Sequence, residues 1–401
     1  MNEERIREIL ARIKNAKVAV YGDFCLDAYW LLDPRGSEVS LETGLSARAV
    51  AKHYYSLGGA SNVVANLAAL EPAAIQVIGV IGDDIFGREL TRQLNELGVD
   101  TTCLVVQKEN FNTVTFGKPY LEGGEQPRMD FGFFNKRTEA TDKVLLAAIE
   151  SALQRVDSLI VNQQVPGSIP NESFIDRAND LFKRYGNKVV LLDSRHYGHK
   201  FKHIWRKTND LEAARLNHVD VELDDVLTLA DVEKYAGALY RQFDKPVFLT
   251  RGSRGIVAVD SDGFHQIPGI QLLKKLDIVG AGDTVTSALA LCLGAGVRPA
   301  EAAEFANFAA AVTVQKLFQT GTASGAEVLE VAKDVDYIYQ PELACDPRHA
   351  RYLDGSEIEL CYESIPQARV KHAVFDHDGT ISTLRQGWEQ IMAPVMIKAI
   401  L

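Results

Sequence analysis

Asp277-Ile278-Val279-Gly280-Ala281-Gly282-Asp283-Thr284 runs straight into the apolar stretch Val285 to Leu293, and the fold is read outward from that junction. Two glycines flank one alanine, an acid follows, and a helix then begins. Glycine lets a backbone turn tightly and approach a ligand closely, because no Cβ intervenes. The first N–H groups of the following helix lack intrahelical partners and carry partial positive charge. Such a turn suits a phosphate, or the anionic charge that develops during phosphoryl transfer. Asp283, at its mouth, is placed to take a proton from an attacking hydroxyl. A tight strand-to-helix turn capped by an acid has the same spelling, so the surrounding chain has to decide between the two.

At 401 residues the chain has room for two or three domains, one of them with a large core. Hydrophobic residues make up 46% and charged residues 24%, the proportions of an ordinary soluble globular protein. A net charge of −11 argues against general nucleic-acid or anionic-membrane binding. No apolar run is long enough to span a bilayer, and the N-terminus MNEERIREILARIKNAK reads as a charged amphipathic helix and not as a signal peptide. The cysteines Cys25, Cys103, Cys292, Cys345 and Cys361 are scattered, with no zinc spacing, and suit a reducing cytoplasm.

Lys17 to Gly22 reads as a buried first strand ending at Gly22-Asp23-Phe24-Cys25-Leu26-Asp27. Polar groups at the C-terminal end of such a strand face the ligand crevice of an α/β sheet. Asp27 therefore reads either as an acceptor for sugar hydroxyls or as a turn-capping acid. Gly58-Gly59 open a small-residue helix whose first turn carries Asn62, a donor and acceptor for a hydroxyl-rich ligand. Asn66, one turn on, reads as helix packing. Segments at about 30–56 and 102–135 carry short strand patterns and are expected to form a small β-sheet lid. Within the second, Arg128 matches phosphate oxygens by its guanidinium fork, although surface arginines are common.

From 142 onward, helices and apolar strands alternate, which implies a mainly parallel sheet covered on both faces. Asn209 and Glu212 have NxxE spacing. Glu212 suits ordering of Mg²⁺ through waters, and a plain capping box has the same spacing. Thr250-Arg251-Gly252-Ser253-Arg254-Gly255 follows a strand and lets Thr250 and the backbone approach a nucleotide's phosphates; a simple hairpin would look similar. Asn307 is an uncharged polar side chain amid the close-packing small residues of a helix from Ala302 to Lys316.

In order and spacing, GGASN, NxxE, TRGSRG and DxVGAGDT resemble the motif succession of the ribokinase-like (PfkB) carbohydrate kinases, from about residue 15 to 332. The resemblance implies an α/β ribokinase-like fold, with a mainly parallel central sheet flanked by helices and a small β lid. It also implies Asp283 as catalytic base and Gly280, Ala281 and Gly282 as the anion hole. Asp27, Gly58, Gly59 and Asn62 would face the sugar. Asn209, Glu212, Thr250, Gly252, Gly255 and Asn307 would lie along ATP and Mg²⁺, and Asp277 with the Val279 carbonyl would match a K⁺ position. Lid-to-lid homodimers are common among such relatives.

Within the family, GD-x3-D-x-YW at 22–30, GGASNVVANLAAL and RMDF at 128–131 look like the heptose-7-phosphate kinase branch. That branch phosphorylates an anomeric hydroxyl, and Arg128 and Lys118 would meet the 7-phosphate. Its acidic sugar-binding segment is here Val161-Asn162-Gln163-Gln164, so Asn162 and Gln164 become candidate sugar readers.

The kinase domain is expected to span 1–333, followed at 334–369 by a proline-bearing linker with a short hairpin around Asp354-Gly355. Residues 370–401 then open with a strand and Asp376-His377-Asp378-Gly379-Thr380, which resembles the first motif of haloacid-dehalogenase (HAD) phosphohydrolases. There the first aspartate attacks phosphorus and the second serves as acid and base near Mg²⁺. Only 21 residues follow Thr380, so this segment is expected to be an incomplete HAD-type piece without phosphatase activity. The leading expectation is thus a cytoplasmic, ATP-dependent sugar or sugar-phosphate kinase. A HAD-type phosphohydrolase with a ligand-sensing kinase-like module is the alternative, and a nucleoside kinase on the same fold is a third.

Overall fold

The structure is a computed structural model that describes residues 1–168, 172–222, 225–272, 276–317, 321–333, 335–338 and 371–374. The chain divides into two units, Met1–His349 and Ala350–Leu401. Asp376, Asp378, Cys345, Cys361 and the expected hairpin at Asp354-Gly355 lie outside the described residues. All elements named below belong to the first unit.

Helix α1 (Glu3–Ile13) is capped by Asn2 and buries Ile6, Ile9 and Ile13, one stripe at helical spacing. After β1 (Lys17–Gly22), the strands β2 (Phe24–Leu32) and β3 (Val50–Gly59) leave for a second sheet, and β3 delivers the chain into α2 (Ala60–Ala69). Next come β4 (Ala74–Gly82), α3 (Ile85–Glu96) and β5 (Asp100–Gln107), then β6 (Val114–Leu121), β7 (Gly124–Glu125) and β8 (Met129–Phe131). The alternating half follows with α4 (Glu139–Arg155), β9 (Ser158–Gln163), α5 (Glu172–Arg184), β10 (Val189–Ser194), β11 (Trp205–Asn209) and α6 (Asp210–Leu216). It continues through α7 (Leu229–Phe243), β12 (Val247–Thr250), β13 (Ile256–Asp260) and β14 (Gly263–Ile267) to α8 (Ala281–Gly294), α9 (Pro299–Thr313) and α10 (Gly325–Lys333).

The main sheet has the order β14-β13-β12-β11-β10-β9-β1-β4-β5, parallel from β12 to β5 and antiparallel only at β12-β13-β14. Its inner parallel strands are buried on both faces, and the pleat distributes their side chains. In β9, Ile160 joins the cluster under α1, α2, α8 and α9, while Leu159 and Val161 join the one under α4 and α5. Every residue of α8 from Thr284 to Leu293 is buried, which fits a helix apolar on all sides at the centre of the fold. Its few polar groups are satisfied internally: Thr284 Oγ1 donates to Asn66 Oδ1, Thr286 Oγ1 to Asp193 Oδ2, and Ser287 Oγ to the Val63 carbonyl.

The lid differs from its expected limits. It contains β2, β3, β6, β7 and β8, in the order β3-β2-β6-β7 with β8 on β6, so it begins at Phe24 and runs through Gly59. Residues 102–106 do not belong to it. They lie in β5, which pairs parallel with β4 at the edge of the main sheet. As an edge strand β5 is only partly covered along most of its length, so in sequence it reads like a half-exposed lid strand. The lid also leaves large apolar side chains in the open, among them Val50, Tyr54, Met129 and Phe131.

Phe24 is where the chain turns from β1 into the lid, and its fully buried ring lies against Gly79 of β4. A Cβ on Gly79 would sit 2.3 Å from Phe24 Cδ2 and 3.1 Å from the Gly22 carbonyl. Gly79→Ala should therefore destabilise the fold by about 1–3 kcal/mol through overpacking. Urea denaturation should show a lower midpoint at unchanged slope, and an unaltered midpoint would contradict this account of the crossing.

Candidate active site

Gly280 caps α8 with φ 82°, a left-handed conformation suited to glycine, and the turn it makes sorts the local amides. Val279 N donates to Asp277 Oδ1, Ala281 N to the Ile278 carbonyl and Thr284 N to the Gly280 carbonyl. The amides of Gly280, Gly282 and Asp283 have no acceptor among the described residues. The donors left for an anion are therefore these three, and Ala281, expected among them, spends its amide inside the turn. Below the turn lies Lys207, whose ammonium is 3.1 Å from the point a Cβ on Gly282 would occupy. Lys207 is buried and donates to Asp193 Oδ2 at 3.0 Å.

Asp283 Oδ2 accepts a hydrogen bond from Asn62 Nδ2 at 2.6 Å. Asn66 Nδ2 in turn donates to the Asn62 carbonyl at 3.0 Å and to Asn62 Oδ1 at 3.3 Å, which turns the Asn62 amide so that its NH₂ faces Asp283. The packing role read for Asn66 is thus the one observed, and Asn62 touches the carboxylate directly. Burial pushes the Asp283 carboxyl up to about 6, against the pull of the Asn62 bond. An acid with that value is ionised at neutral pH, yet far more basic than a solvated aspartate.

Asp283 and Gly280 line a cavity of about 440 Å³ that also takes in Asp27, Gly58, Gly59, Asn62, Lys118, Arg128 and Gln164. The structure thus assembles most of the residues expected to face a sugar. Gly59 has φ 54°, and a Cβ there would meet the Asp23 carbonyl at 2.7 Å, so β3 passes into α2 only through glycine. Lys118 Nζ lies 3.1 Å from Asp27 Oδ2. Burial raises the Asp27 carboxyl and Lys118 opposes the rise. Arg128 forks onto Asp130 through Nε and Nη2 and stacks 4.6 Å from the Phe116 ring centroid.

Other expected residues fall elsewhere. Asn162 does not line this cavity. It is fully buried, its carbonyl accepts Asp23 N, and both side-chain polar atoms lack a hydrogen-bond partner among the described residues. Asn162 lies within β9, on the same face as Ile160 and covered by packing, whereas Gln164 lies beyond the strand end and reaches the cavity. Asn209 and Glu212 form the reciprocal capping box of α6, with Glu212 N on Asn209 Oδ1 and Asn209 N on Glu212 Oε2. Thr250 Oγ1 lies 3.5 Å from the Thr208 carbonyl, and Gly252 has open space around its Cβ position. Gly255 is dictated by packing, since a Cβ there would lie 2.1 Å from the Ile267 carbonyl. Buried Asn307 donates to the Pro268 carbonyl and so ties α9 to the end of β14.

Sequence reading missed Arg195 and His196, which line this cavity and also a neighbouring one of about 370 Å³ bordered by Glu212. It missed Lys207 as well. Arg195 and His196 sit just beyond the C-terminal end of β10, the kind of position that pointed to Asp27 in the sequence, so the same rule applied strand by strand finds them; Lys207 lies in the middle of β11, where that rule does not reach.

This arrangement, a mainly parallel sheet flanked by helices with a β lid and with a half-buried carboxylate beside free helix-start amides on one cavity, is that of an α/β phosphotransferase fold. The family model described as pfkB family carbohydrate kinase matches residues 15–324, and the chain belongs to that family. Among curated proteins it is similar to the bifunctional protein HldE of Coxiella burnetii, 30% identical over 306 residues, covering 76% of this chain and 61% of that protein. The bifunctional protein HldE of Vibrio vulnificus is 32% identical over 379 residues, with 92% of this chain and 75% of that protein covered. The match therefore spans about three fifths of the first relative's length and three quarters of the second's. Among solved structures it resembles a ribokinase from Thermotoga maritima (TM-score 0.60, 20% identical, 80% of this chain and 100% of that one). It likewise resembles Arabidopsis thaliana ribokinase complexed with ribose and ATP (TM-score 0.62, 18% identical, 80% and 99%). At these identities the likeness establishes the fold alone. Among the described residues no helix is long and apolar enough to cross a membrane.

Asn62→Ala removes the donor that favours the ionised carboxylate, so the Asp283 midpoint should rise from its value near 6. Carbon-detected NMR titration of the carboxyl measures it, and a midpoint that holds or falls would contradict the assigned role of the Asn62 bond.

Proposed function

We propose that the protein transfers the terminal phosphoryl group of ATP to a hydroxyl of a sugar or sugar phosphate, with Asp283 as the base. The observation that carries this reading is the raised carboxyl of Asp283 beside free helix-terminal amides at the wall of a cavity. As the acceptor oxygen bonds to phosphorus, its proton passes to Asp283 and the bond to the ADP oxygen breaks. The Gly282 and Asp283 amides, at the positive end of α8, meet the charge that develops on the phosphoryl oxygens. Lys207, held by Asp193 beneath the turn, adds a fixed positive charge at the same point.

Mg²⁺ fits this donor set only as a nucleotide-borne ion. Glu212 Oε2 is taken by the capping box and by Thr208 Oγ1, and Oε1 has no partner among the described residues. Those residues hold no group of three or more ligating side chains, so Glu212 would act through water. The ion's chemistry is to neutralise phosphate charge. The Val279 carbonyl accepts no hydrogen bond among the described residues and, with Asp277, is the proposed K⁺ position.

For substrate, the lid end of the cavity favours an acceptor that already carries a phosphate. Lys118 and Arg128 stand there, each paired to a carboxylate that a phosphate would displace. Together with the resemblance to the heptose-7-phosphate kinase branch and to proteins called HldE, this points to a heptose 7-phosphate or a close analogue, with the far hydroxyl toward Asp283.

ADP release over a panel of heptoses, hexoses, pentoses, their terminal phosphates and adenosine tests the reading. Sugar-dependent release should fall about 10²–10⁴-fold in Asp283→Asn. Because the base acts only when ionised, kcat/KM in the wild type should drop as pH falls through about 6. Release independent of any sugar, or unaffected by Asp283→Asn, would overturn the proposal. Arg128→Ala should raise KM about 10-fold or more for a phosphorylated sugar and leave its unphosphorylated counterpart nearly unchanged. Equal effects on both would remove Arg128 from phosphate recognition.

A further inference from the structure

We propose that Arg195 is the cation that contacts the phosphoryl group in flight, at the junction of the acceptor cavity and the cavity beside Glu212. The assignment rests on the kinase reading above. Arg195 lines both cavities, with Asp283 and Gly280 in one and Glu212 in the other. A side chain shared by the two walls stands where a group must pass from the nucleotide side to the acceptor side. In that passage the bond from phosphorus to the bridging oxygen of ADP breaks as the bond to the acceptor oxygen forms, and the acceptor proton goes to Asp283. Negative charge spreads over the equatorial oxygens in between, and a guanidinium is suited to meet it.

Availability separates Arg195 from the other cations nearby. Lys118 is held by Asp27, Arg128 by Asp130 and Lys207 by Asp193. Arg195 is exposed and has no carboxylate partner among the described residues, so its charge is not neutralised before substrate arrives. That charge is also felt at the base, where it opposes the upward push of burial on Asp283.

The mounting of Arg195 is rigid although its side chain is free. Its amide donates to the Gln163 carbonyl at 2.9 Å. The Gln163 side chain, itself buried, accepts from Ser194 Oγ at 2.9 Å and from His196 N at 3.0 Å, and its NH₂ donates to the Val165 carbonyl at 2.7 Å. One amide thus locks the loop bearing Arg195 to the loop bearing Gln164 and Val165, another wall of the acceptor cavity. On the far side, buried Arg206 donates to the carbonyls of Gly198 and Phe201 and holds the rest of the loop. A backbone fixed from both flanks places the guanidinium in advance of the reaction, which is the condition for electrostatic stabilisation of a transition state.

The test uses the full chain with ATP and a heptose 7-phosphate, and begins with wild type and Asp283→Asn. Absence of sugar-dependent turnover in the wild type across the whole panel overturns the kinase reading and this assignment together. With turnover established, Arg195→Ala should lower kcat about 10²–10³-fold and change both KM values less than about threefold. Arg195→Lys should recover part of the loss, and guanidinium ion added to the buffer should partly restore the alanine variant alone. In calorimetric titration, the complex of ADP, aluminium fluoride and sugar phosphate should bind Arg195→Ala at least about 30-fold more weakly, with ADP alone bound as in the wild type. A matched urea midpoint confirms that the variant is folded. A kcat within about threefold of wild type, a loss confined to the sugar KM, or equal weakening of ADP and the fluoride complex would each overturn the role of Arg195 while leaving the kinase reading in place.

Discussion

The hydrogen bond from Asn62 to Asp283 joins the first turns of two helices that meet nowhere in sequence, and the candidate site depends on that meeting. Asp283 stands at the start of α8 because Gly280 can take a left-handed turn, and Asn62 stands at the start of α2 because Gly59 can do the same. Below this contact the helices are pinned by further polar pairs, Thr284 with Asn66 and Ser287 with the Val63 carbonyl. Each is buried, so a small slip of one helix along the other would leave several donors without partners, at a cost of about 1–3 kcal/mol apiece. The position of the carboxylate is thereby fixed by packing well away from it.

The same burial that holds Asp283 makes it basic. Desolvation disfavours its charge, while Asn62 and the positive groups around it permit ionisation. Lys207 and Asp193 lie deeper and show a related balance: each is nearly buried, and each has the other at 3.0 Å. Such a pair contributes little net stability, because desolvation consumes most of its attraction, and removing one member leaves an uncompensated charge. Its presence under the free amides at the start of α8 fits a role in placing charge more than one in holding the fold together.

The lid completes the cavity beside Asp283 by contributing one strand from each of two distant segments. β2 brings Asp27 and β6 brings Lys118, and their parallel pairing sets Asp27 beside Phe116 and Tyr29 beside Lys118. The ion pair between Asp27 and Lys118 is thus a consequence of lid register. Lys118 and Arg128 each stand paired with a carboxylate, whereas Arg195 has no carboxylate partner among the described residues.

Much was legible in the chain itself. The glycine-bounded turn before α8, the glycine pair before α2 and the alternation of apolar strands with helices are local signals, and each follows from backbone sterics or side-chain period. Those signals led to Asp283, Gly280, Gly58, Gly59, Asn62 and Asp27, all of which line one cavity. What they did not reveal is lateral: which strand borders which, and which side of a strand end a side chain takes. Residues 102–106 read like a half-exposed lid strand but pair with β4, and Asn162 is packed away within β9 while Gln164 beyond the strand end reaches the cavity. Lys207, in the middle of β11, entered the site only when β11 was laid beside β10 and its ammonium met Asp193. Local sequence determines how a segment turns because that energy is carried by neighbouring residues. The company a side chain keeps across a sheet is decided by contacts among segments far apart in the chain, and only the folded structure brings those into register.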